Sequence, residues 1–359
     1  MKLGRKLNVL LSSALSILVL LAGCGGNPAS TSKNASAPAN TPASVNTTSQ
    51  PSGSGEKVVM KLGHVNAPDH HYQLTALEFA KLVKEKSKGK IEVELFPQSQ
   101  LGGEVKMIQA LKTGTQDLLI TSQAPMTNSV PEWGIFDLPY LFDSDDQANK
   151  ILQGPTGEKF LDMLQNQNIV GLAWFASLER NVFTSKKPVK TLEDIKTLKL
   201  RVIQSSGYVD AFKAVGANPT PLAYSELYLA LQQGVVDGAD TSPDQFILDK
   251  FYETSKYFSL TRMHYMPIAF MASKVTWDKL SPDLQQVMQE AAKEAAQFNI
   301  KTFKKSYTES LEEMKKKGTE VIEVDTKPWI QATEAARSDL LKKIPNGDAL
   351  YKEIMDAKK

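Results

Sequence analysis

The most informative segments for the fold are KTLEDIKTLKLRV at residues 190–202 and GANPTPLAYSELYLALQQGVVDG at residues 216–238. Thr191 and Asp194 match a capping box, in which two side chains three residues apart satisfy backbone N–H groups at a helix start. The run LKLRV predicts a β-strand, because Arg201 stands in it between two strongly apolar neighbours. The second segment is amphipathic and rich in turn residues. This alternation of strand and helix patterns is typical of α/β proteins.

The same alternation continues over the globular part of the chain, from residue 56 onward. About 300 residues are enough for two domains that share a cleft. Ser281, followed by proline, predicts the start of a long amphipathic helix that continues towards Gly318. The β-rich runs that we predict as strands are residues 58–65, 91–96, 118–121, 169–175, 200–203, 267–272 and 320–324.

The N-terminus carries the pattern of a lipoprotein signal. A positive segment with Lys2, Arg5 and Lys6 precedes an apolar segment too short to span a membrane, and Leu-Ala-Gly-Cys ends the pattern at Cys24. An ordinary secretory signal with an accidental cysteine is the alternative, but Cys24 is the only cysteine in the chain. We therefore expect removal of residues 1–23, lipidation of Cys24, and a position on the periplasmic or outer face of a cell membrane.

Residues 24–55 are then the lipidated cysteine and a low-complexity segment of Asn, Ala, Ser, Thr, Pro and Gly. Such a composition offers too little apolar surface to offset the entropy of folding, so it predicts a flexible tether. Removing residues 1–23 removes three positive charges, which takes the formal net charge from +2 to −1. Charges of both signs are interspersed in the remaining chain, which argues against nucleic acid as a partner.

The sequence lacks the patterns of most enzymes and metal sites. With Cys24 lipidated, no cysteine remains for a disulfide, a thiol nucleophile or a cysteine metal site. The motifs G-x-S-x-G, H-E-x-x-H and the P-loop are missing, so a lipid-anchored extracellular hydrolase is a weak alternative. His70 and His71 lie near Asp69, but adjacent side chains diverge and no third ligand has suitable spacing, so we predict no metal site there. No cofactor is expected.

Three further segments accompany the two quoted above: FPQSQLGGEVKMIQALKTGTQD at residues 96–117, FDLPYLF at residues 136–142 and LSPDLQQVMQEAAKEAA at residues 280–296. In order and spacing, the five segments resemble the solute receptors of tripartite ATP-independent periplasmic (TRAP) transporters. The resemblance implies a two-lobed, periplasmic-binding-protein-like α/β fold. In it, crossing strands form a hinge, one long helix braces both lobes, and a buried anion site lies between them.

The resemblance also implies a non-enzymatic receptor that delivers its ligand to the membrane subunits of the transporter. A receptor that presents its ligand to a sensor protein stays open as an alternative. We expect lobe I to comprise residues 56–177 and 267–306, and lobe II to comprise residues 178–266 and 307–359. We expect the receptor to be a monomer.

Arg201 is the residue that, by this resemblance, grips a carboxylate of the ligand. A guanidinium suits this role because its planar fork forms two parallel charge-assisted hydrogen bonds and stays charged when buried. Arg180 resembles the second arginine of the family, which assists carboxylate binding or forms a structural salt bridge between the lobes; both roles stay open. Tyr224 matches an aromatic position in the pocket wall.

Other residues near the two arginines are candidate contacts to the ligand. Gln204 and Ser205 follow the strand of Arg201 and offer polar contacts to the ligand, or they cap the next helix. Trp174 and Phe175 end a predicted strand, where they line the pocket or pack in the core.

Ser122 and Thr241 distinguish this chain within the family it resembles. By equal spacing, Ser122 stands where the sialic acid receptors of the family have a glutamate, and Thr241, next to Asp240, stands where many relatives have an asparagine. Both side chains are shorter, which argues against a nine-carbon sugar acid. We expect Ser122, Asp240 and Thr241 to help bind a compact organic acid, such as a C4-dicarboxylate, a 2-oxo or hydroxy acid, or a small sugar acid.

Overall fold

The computed structural model describes residues 57–359, which belong to one compact unit of the chain. The predicted signal, Cys24 and the tether up to residue 55 lie outside the described residues. None of the helices between residues 57 and 359 combines the length and the apolar character needed to span a bilayer.

A nine-stranded mixed sheet runs through the described residues in the order β2-β1-β3-β8-β4-β7-β5-β6, with β9 paired to β8. The strands are β1 (Val58–Gly63), β2 (Ile91–Phe96), β3 (Leu118–Ser122), β4 (Ile169–Thr184), β5 (Lys199–Val202), β6 (Asn218–Pro221), β7 (Gly238–Thr241), β8 (Tyr257–Ser273) and β9 (Glu320–Glu323). The helices are α1 (His71–Lys86), α2 (Glu104–Thr113), α3 (Asp145–Leu152), α4 (Pro155–Asp162), α5 (Leu192–Ile195), α6 (Ser206–Ala214), α7 (Leu227–Gln232), α8 (Pro243–Leu248), α9 (Lys274–Trp277), α10 (Pro282–Lys316), α11 (Lys327–Leu341) and α12 (Gly347–Ala357). The predicted capping box of Thr191 and Asp194 begins α5.

β4 and β8 are the two long strands that connect the halves of the sheet. They have 16 and 17 residues and pair antiparallel, and at about 3.3 Å per residue each extends roughly 50 Å. At one end β8 pairs with β3, and at the other end β4 pairs with β7. Both strands therefore pass through both halves of the sheet.

The sequence predicted only residues 169–175 and 267–272 as strand here, which is shorter than either β4 or β8. Nearly every residue of both strands is buried, so the apolar–polar alternation of a half-exposed strand is missing. Register shifts after Gly171, Phe175 and Arg180 also change which side chains face each side of the sheet.

Two strands of four residues each, β6 and β7, were missed from the sequence. β6 reads NPTP, and its prolines indicate a turn, but β6 lies at the edge of the sheet, where proline is tolerated. β7 reads GADT and has no apolar run, although it is buried between β4 and β5. Four residues are too few to show a period.

The long helix α10 begins at the predicted Ser281 and Pro282 start and has 35 residues, so it spans roughly 52 Å. It packs against α1, β4, α8 and β9, which are elements from both ends of the sheet. Its buried face is rich in alanine, which allows neighbouring elements to approach closely. The predicted long helix is therefore present and contacts both halves of the molecule.

Candidate functional site

A cavity of about 290 Å³, here called the central cavity, lies where β3 and β5 end and beside β4 and β8. In α/β sheets ligands usually bind beyond the carboxyl ends of strands, which is where Ser122 of β3 and Arg201 of β5 stand. The residues that line the central cavity come from both halves of the sheet and are Val65, Asn66, Tyr72, Glu104, Ser122, Arg180, Arg201, Ile203, Tyr224, Gln245 and Met266.

Arg201 is 1% exposed, and its guanidinium is only partly satisfied by the protein. Its Nε donates to the main-chain oxygen of Leu222 at 3.0 Å, whereas no described residue accepts a hydrogen bond from the buried Nη1. Burial, together with the nearby charge of Arg180, lowers the pKa of Arg201 to about 10. Arg201 is therefore still protonated at neutral pH, and its free side faces the central cavity without an anionic partner among the described residues.

Arg180 differs from Arg201 because Asp240 neutralises it. Its Nε donates to Asp240 Oδ2 at 2.6 Å and its Nη2 donates to the main-chain oxygen of Asp240, and both side chains are 2% exposed. Burial alone would lower the pKa of Arg180, but the charge and hydrogen bonds of Asp240 outweigh it and raise that pKa. Arg180 thus forms a buried ion pair and also lines the central cavity.

Tyr224 forms one side of the central cavity and contacts Arg201. The guanidinium carbon of Arg201 lies 5.7 Å from the centroid of the Tyr224 ring, within the range of a cation–π interaction. The Tyr224 hydroxyl donates to Asp249, which fixes the orientation of the ring. Burial, followed by the charge of Asp249, raises the pKa of Tyr224 well above its ordinary value, so the phenol stays neutral.

Glu104, the first residue of α2, brings a carboxylate into the wall of the central cavity, and the sequence did not single it out. Its Oε1 accepts hydrogen bonds from Thr121 Oγ1 at 2.8 Å, from the Ser122 main-chain N–H at 3.1 Å and from Ser122 Oγ at 2.8 Å. The sequence argument took Ser122 as the loss of a long polar contact. In the structure Ser122 lines the central cavity and donates to a glutamate from another segment, so a carboxylate is present at the end of β3 although residue 122 is a serine.

Asn66 and Gln245 form a polar part of the wall that the sequence also missed. Gln245 Nε2 donates to Asn66 Oδ1 at 3.0 Å, and Thr241 Oγ1 donates to Gln245 Oε1 at 2.7 Å. Thr241 does not line the central cavity; it lies behind Gln245 and orients its amide. Thr241 is therefore placed to act on a ligand through Gln245.

Trp174 and Phe175 lie in the core and outside the wall of the central cavity. The indole N–H of Trp174 donates to the main-chain oxygen of Gly157 at 2.9 Å, and its ring lies 4.8 Å from that of Trp133. Phe175 packs against Phe270, with ring centroids 5.3 Å apart. Of the two alternatives left open for Trp174 and Phe175, the structure shows core packing.

Gln204 and Ser205 also lie outside the wall of the central cavity. Gln204 is exposed, and its main-chain oxygen accepts a hydrogen bond from Asn128 at 3.3 Å. Ser205 is the N-cap residue of α6, and its hydroxyl donates to the buried carboxylate of Asp137. Both residues connect the start of α6 to the segment before β4.

His70 and His71 lie close to Asp244, which corrects the expectation that their side chains diverge and lack a third partner. The Nε2 atoms of His70 and His71 lie 3.2 and 3.5 Å from Asp244 Oδ2, and all three side chains are buried. These three residues have the composition and spacing of a possible metal site. The sequence did not reveal this partner, because Asp244 belongs to α8 and lies far along the chain from His70 and His71.

The hydrogen bonds at Nδ1 of the two imidazoles argue against a metal site at their Nε2 atoms. The backbone N–H of Tyr72 donates to His70 Nδ1 at 3.3 Å, and Asn299 Nδ2 lies 3.0 Å from His71 Nδ1. The Asn299 oxygen accepts a backbone N–H, which fixes its amide as the donor to His71. Nδ1 of each ring therefore accepts and Nε2 carries the hydrogen, within 3.5 Å of Asp244 Oδ2, whereas a metal would need a free lone pair on each Nε2.

Comparison with known proteins agrees with this geometry. The family model described as bacterial extracellular solute-binding protein, family 7 (DctP), matches residues 62–344. The C4-dicarboxylate-binding protein DctB of Bacillus subtilis (strain 168) is 33% identical over 264 residues, which is 74% of this chain and 75% of that protein.

Two solved structures show the same fold. The sugar acid binding protein DctPAm from Advenella mimigardefordensis, in complex with galactonate, has a TM-score of 0.82 and 31% identity, covering 84% of this chain and 98% of that chain. A TRAP periplasmic solute-binding protein from Polaromonas sp. JS666, bound to D-erythronate, has a TM-score of 0.81 and 33% identity, covering 83% and 98%. The predicted two-lobed, periplasmic-binding-protein-like α/β fold is confirmed.

Proposed function

Because the chain belongs to the bacterial extracellular solute-binding protein family 7, we propose that its central cavity captures one small organic acid and that Arg201 anchors the carboxylate. The protein is a TRAP-type solute receptor that works outside the cytoplasm. We infer that it binds its ligand without chemical conversion and delivers it to the membrane subunits of a TRAP transporter.

The free side of the Arg201 guanidinium is the observation that carries this proposal. An ion removed from water without a partner costs several kcal/mol, and a carboxylate offsets that cost with its charge. Its two oxygens also match the guanidinium fork in two parallel hydrogen bonds. A neutral sugar supplies no charge, so it leaves the buried Arg201 guanidinium without an anion in direct contact.

The relatives suggest which acids fit. The Advenella protein binds galactonate, the Polaromonas protein binds D-erythronate, and the Bacillus protein is named for C4-dicarboxylates. These ligands have about four to six carbons, which supports an acid of that size over a nine-carbon sugar acid.

The proposed lobes are those predicted from sequence, residues 56–177 with 267–306 and residues 178–266 with 307–359. Two observations support them: the wall of the central cavity draws residues from both sets, and β4 and β8 pass between them. Opening at the strands would expose Arg201 to a ligand, and closing would bury the ligand against both arginines.

We further propose that the receptor is held to the membrane by lipid on Cys24 and by residues 25–55 as a tether. The support is the signal pattern of the sequence, because these residues lie outside the described part of the chain. We also propose that a monomer is sufficient for binding, since one chain contributes residues of both proposed lobes to the wall of the central cavity.

A thermal-shift screen with matched ligands tests the function. Galactonate and galactose have the same carbon number, but only galactonate has a carboxylate. We expect galactonate, D-erythronate or succinate to raise the melting temperature and galactose to leave it unchanged. The Arg201→Ala protein should show no shift with any acid.

The matched control is Arg337→Ala, because Arg337 lies on α11 and pairs with Glu334 far along the chain from the cavity residues. It should keep the shift of the wild-type protein. Stabilisation by galactose equal to that by galactonate, or an undiminished shift in Arg201→Ala, would show that the cavity does not select a carboxylate.

A further inference from the structure

We propose that Glu104 is a second recognition group of the central cavity, one that selects hydroxyl groups next to the anchored carboxylate and disfavours a second carboxylate. This inference rests on the proposed function, since it assumes that Arg201 anchors one carboxylate. The ligand class is then a short hydroxylated monocarboxylate rather than a dicarboxylate.

The hydrogen bonds of Glu104 leave one of its oxygens for a ligand. Oε1 takes three hydrogen bonds, all from Thr121 and Ser122 at the end of β3, so the side chain is fixed in place. No described residue donates to Oε2, and Glu104 lines the central cavity. An ionised carboxylate only accepts hydrogen bonds, so a ligand group that reaches Oε2 has to be a donor.

The charges of the cavity set a limit of one ligand carboxylate. Arg180 and Asp240 neutralise each other across their 2.6 Å contact, which leaves Arg201 and Glu104 with opposite charges. One bound carboxylate already leaves one negative charge in excess. A second carboxylate would place a like charge near Glu104 in a buried site, where repulsion is poorly screened.

Asn66 distinguishes a hydroxyl from an ammonium group as the donor to Glu104. The chain of hydrogen bonds from Thr241 through Gln245 fixes the amide of Asn66, and no described residue accepts from its Nδ2. The wall therefore offers a free donor at Asn66 and a free acceptor at Glu104. Hydroxyl groups both donate and accept, so they satisfy both residues, whereas an ammonium only donates.

Calorimetry with acids of equal chain length tests this inference on the wild-type protein. The four-carbon set is D-erythronate, butyrate, succinate and 4-aminobutyrate, and the six-carbon set is galactonate, hexanoate, adipate and 6-aminohexanoate. In whichever set binds more tightly, the hydroxylated acid should bind at least about tenfold more tightly than the other three acids, as expected for charge-assisted hydrogen bonds. Tighter binding of the dicarboxylate or of the amino acid would overturn the inference.

The Glu104→Gln variant tests the residue itself. Glutamine keeps an oxygen for Thr121 and Ser122, removes the charge and replaces the free oxygen by an N–H donor. We expect the ratio of the dicarboxylate Kd to the hydroxy-acid Kd to fall at least tenfold. Glu85→Gln, on the exposed end of α1, is the control and should keep the wild-type ratio.

A second variant, Glu104→Ala, is needed because the glutamine side chain can itself bind ligand hydroxyls. It removes the acceptor and should also lower the ratio, and melting curves without ligand show whether each variant is folded. If both folded variants keep the wild-type ratio, Glu104 does not set the preference.

These experiments distinguish a failure of the proposed function from a failure of the role proposed for Glu104. If no acid of either set binds, or if all bind equally well to Arg201→Ala, then the proposed function is wrong and this inference falls with it. If Arg201 is required but the ratio in both Glu104 variants is unchanged, only the role of Glu104 is wrong.

Discussion

Replacing Arg201 by alanine separates what this residue does for the ligand from what it does for the fold. In the folded protein the guanidinium is buried, it has one hydrogen bond to Leu222, and its Nη1 has no acceptor among the described residues. Truncating one partner of a buried charge pair costs about 2 to 5 kcal/mol. At 1.4 kcal/mol per factor of ten, Arg201→Ala should weaken binding by about 30-fold to about 4,000-fold.

We expect the buried charge of Arg201 to destabilise the unliganded protein. Burial lowers the pKa of Arg201 from its ordinary 12.5 to about 10, which corresponds to about 3 kcal/mol against the charged form at neutral pH. The sign is fixed because the unfolded chain holds this proton more tightly than the folded protein does. Unliganded Arg201→Ala should therefore melt at the same temperature as wild type or higher, even though it loses the ligand.

Arg201→Lys tests the geometry of the fork. A lysine keeps the charge but offers a single point charge, and it loses its proton more readily when buried. We expect it to lose most of the affinity that Arg201→Ala loses. Isothermal calorimetry with the tightest acid of the screen measures all three proteins. An unchanged Kd in folded Arg201→Ala, or full affinity in Arg201→Lys, would show that the guanidinium fork of Arg201 does not bind the ligand carboxylate.

Three further changes have expected outcomes. Cys24→Ser should release the protein from the membrane fraction or leave it unprocessed at unchanged ligand affinity; a processed protein that stays membrane-bound after a salt wash would contradict lipidation. Burial raises the pKa of Asp137 to about 7 from an ordinary 3.8, so the folded state holds this proton more tightly and stability falls as pH rises between about 4 and 7. Urea unfolding of wild type should lose about 3 kcal/mol between pH 5 and pH 8 relative to Asp137→Asn, and parallel pH profiles would contradict this. Asp240→Asn leaves Arg180 buried without its counter-ion and should lower stability by about 3 to 5 kcal/mol; an unchanged urea midpoint would show that the pair is not needed.

The family resemblance pointed to both arginines, and for Arg201 the strand pattern added support, because a cation within an apolar strand is unusual. Arg201 lies between buried Leu200 and Val202, and a full charge in such a run has few structural explanations. Arg180 was found only by the resemblance to the family's second arginine, and its partner could not be chosen. Asp240 lies on β7, whose four residues show no strand period, so the pairing became visible only in the sheet.

Glu104 could not be recognised because its position has an ordinary explanation. An acidic residue in the first turn of a helix complements the helix dipole, and many helices have one. What makes Glu104 part of the site is its contact with Thr121 and Ser122 on β3, which depends on the packing of α2 against the sheet. No local pattern encodes that contact.

The positions of Trp174 and Phe175 could not be predicted from sequence because they depend on a register shift in β4. They were candidates for the pocket because they end a predicted strand a few residues before Arg180. The register of β4 against β8 shifts between Phe175 and Leu178, so side chains on the two sides of the shift no longer follow one alternation. Trp174 and Phe175 therefore face the core, while Arg180 reaches the central cavity.

A crystal structure of the protein with its tightest-binding acid shows whether Arg201 anchors the ligand carboxylate. We predict one ligand carboxylate within hydrogen-bond distance of Arg201 Nη1, inside the cavity bounded by Tyr224 and Ser122, with ligand hydroxyls towards Glu104 Oε2. A ligand bound elsewhere, or a ligand in the central cavity whose carboxylate makes no contact with Arg201, would contradict it.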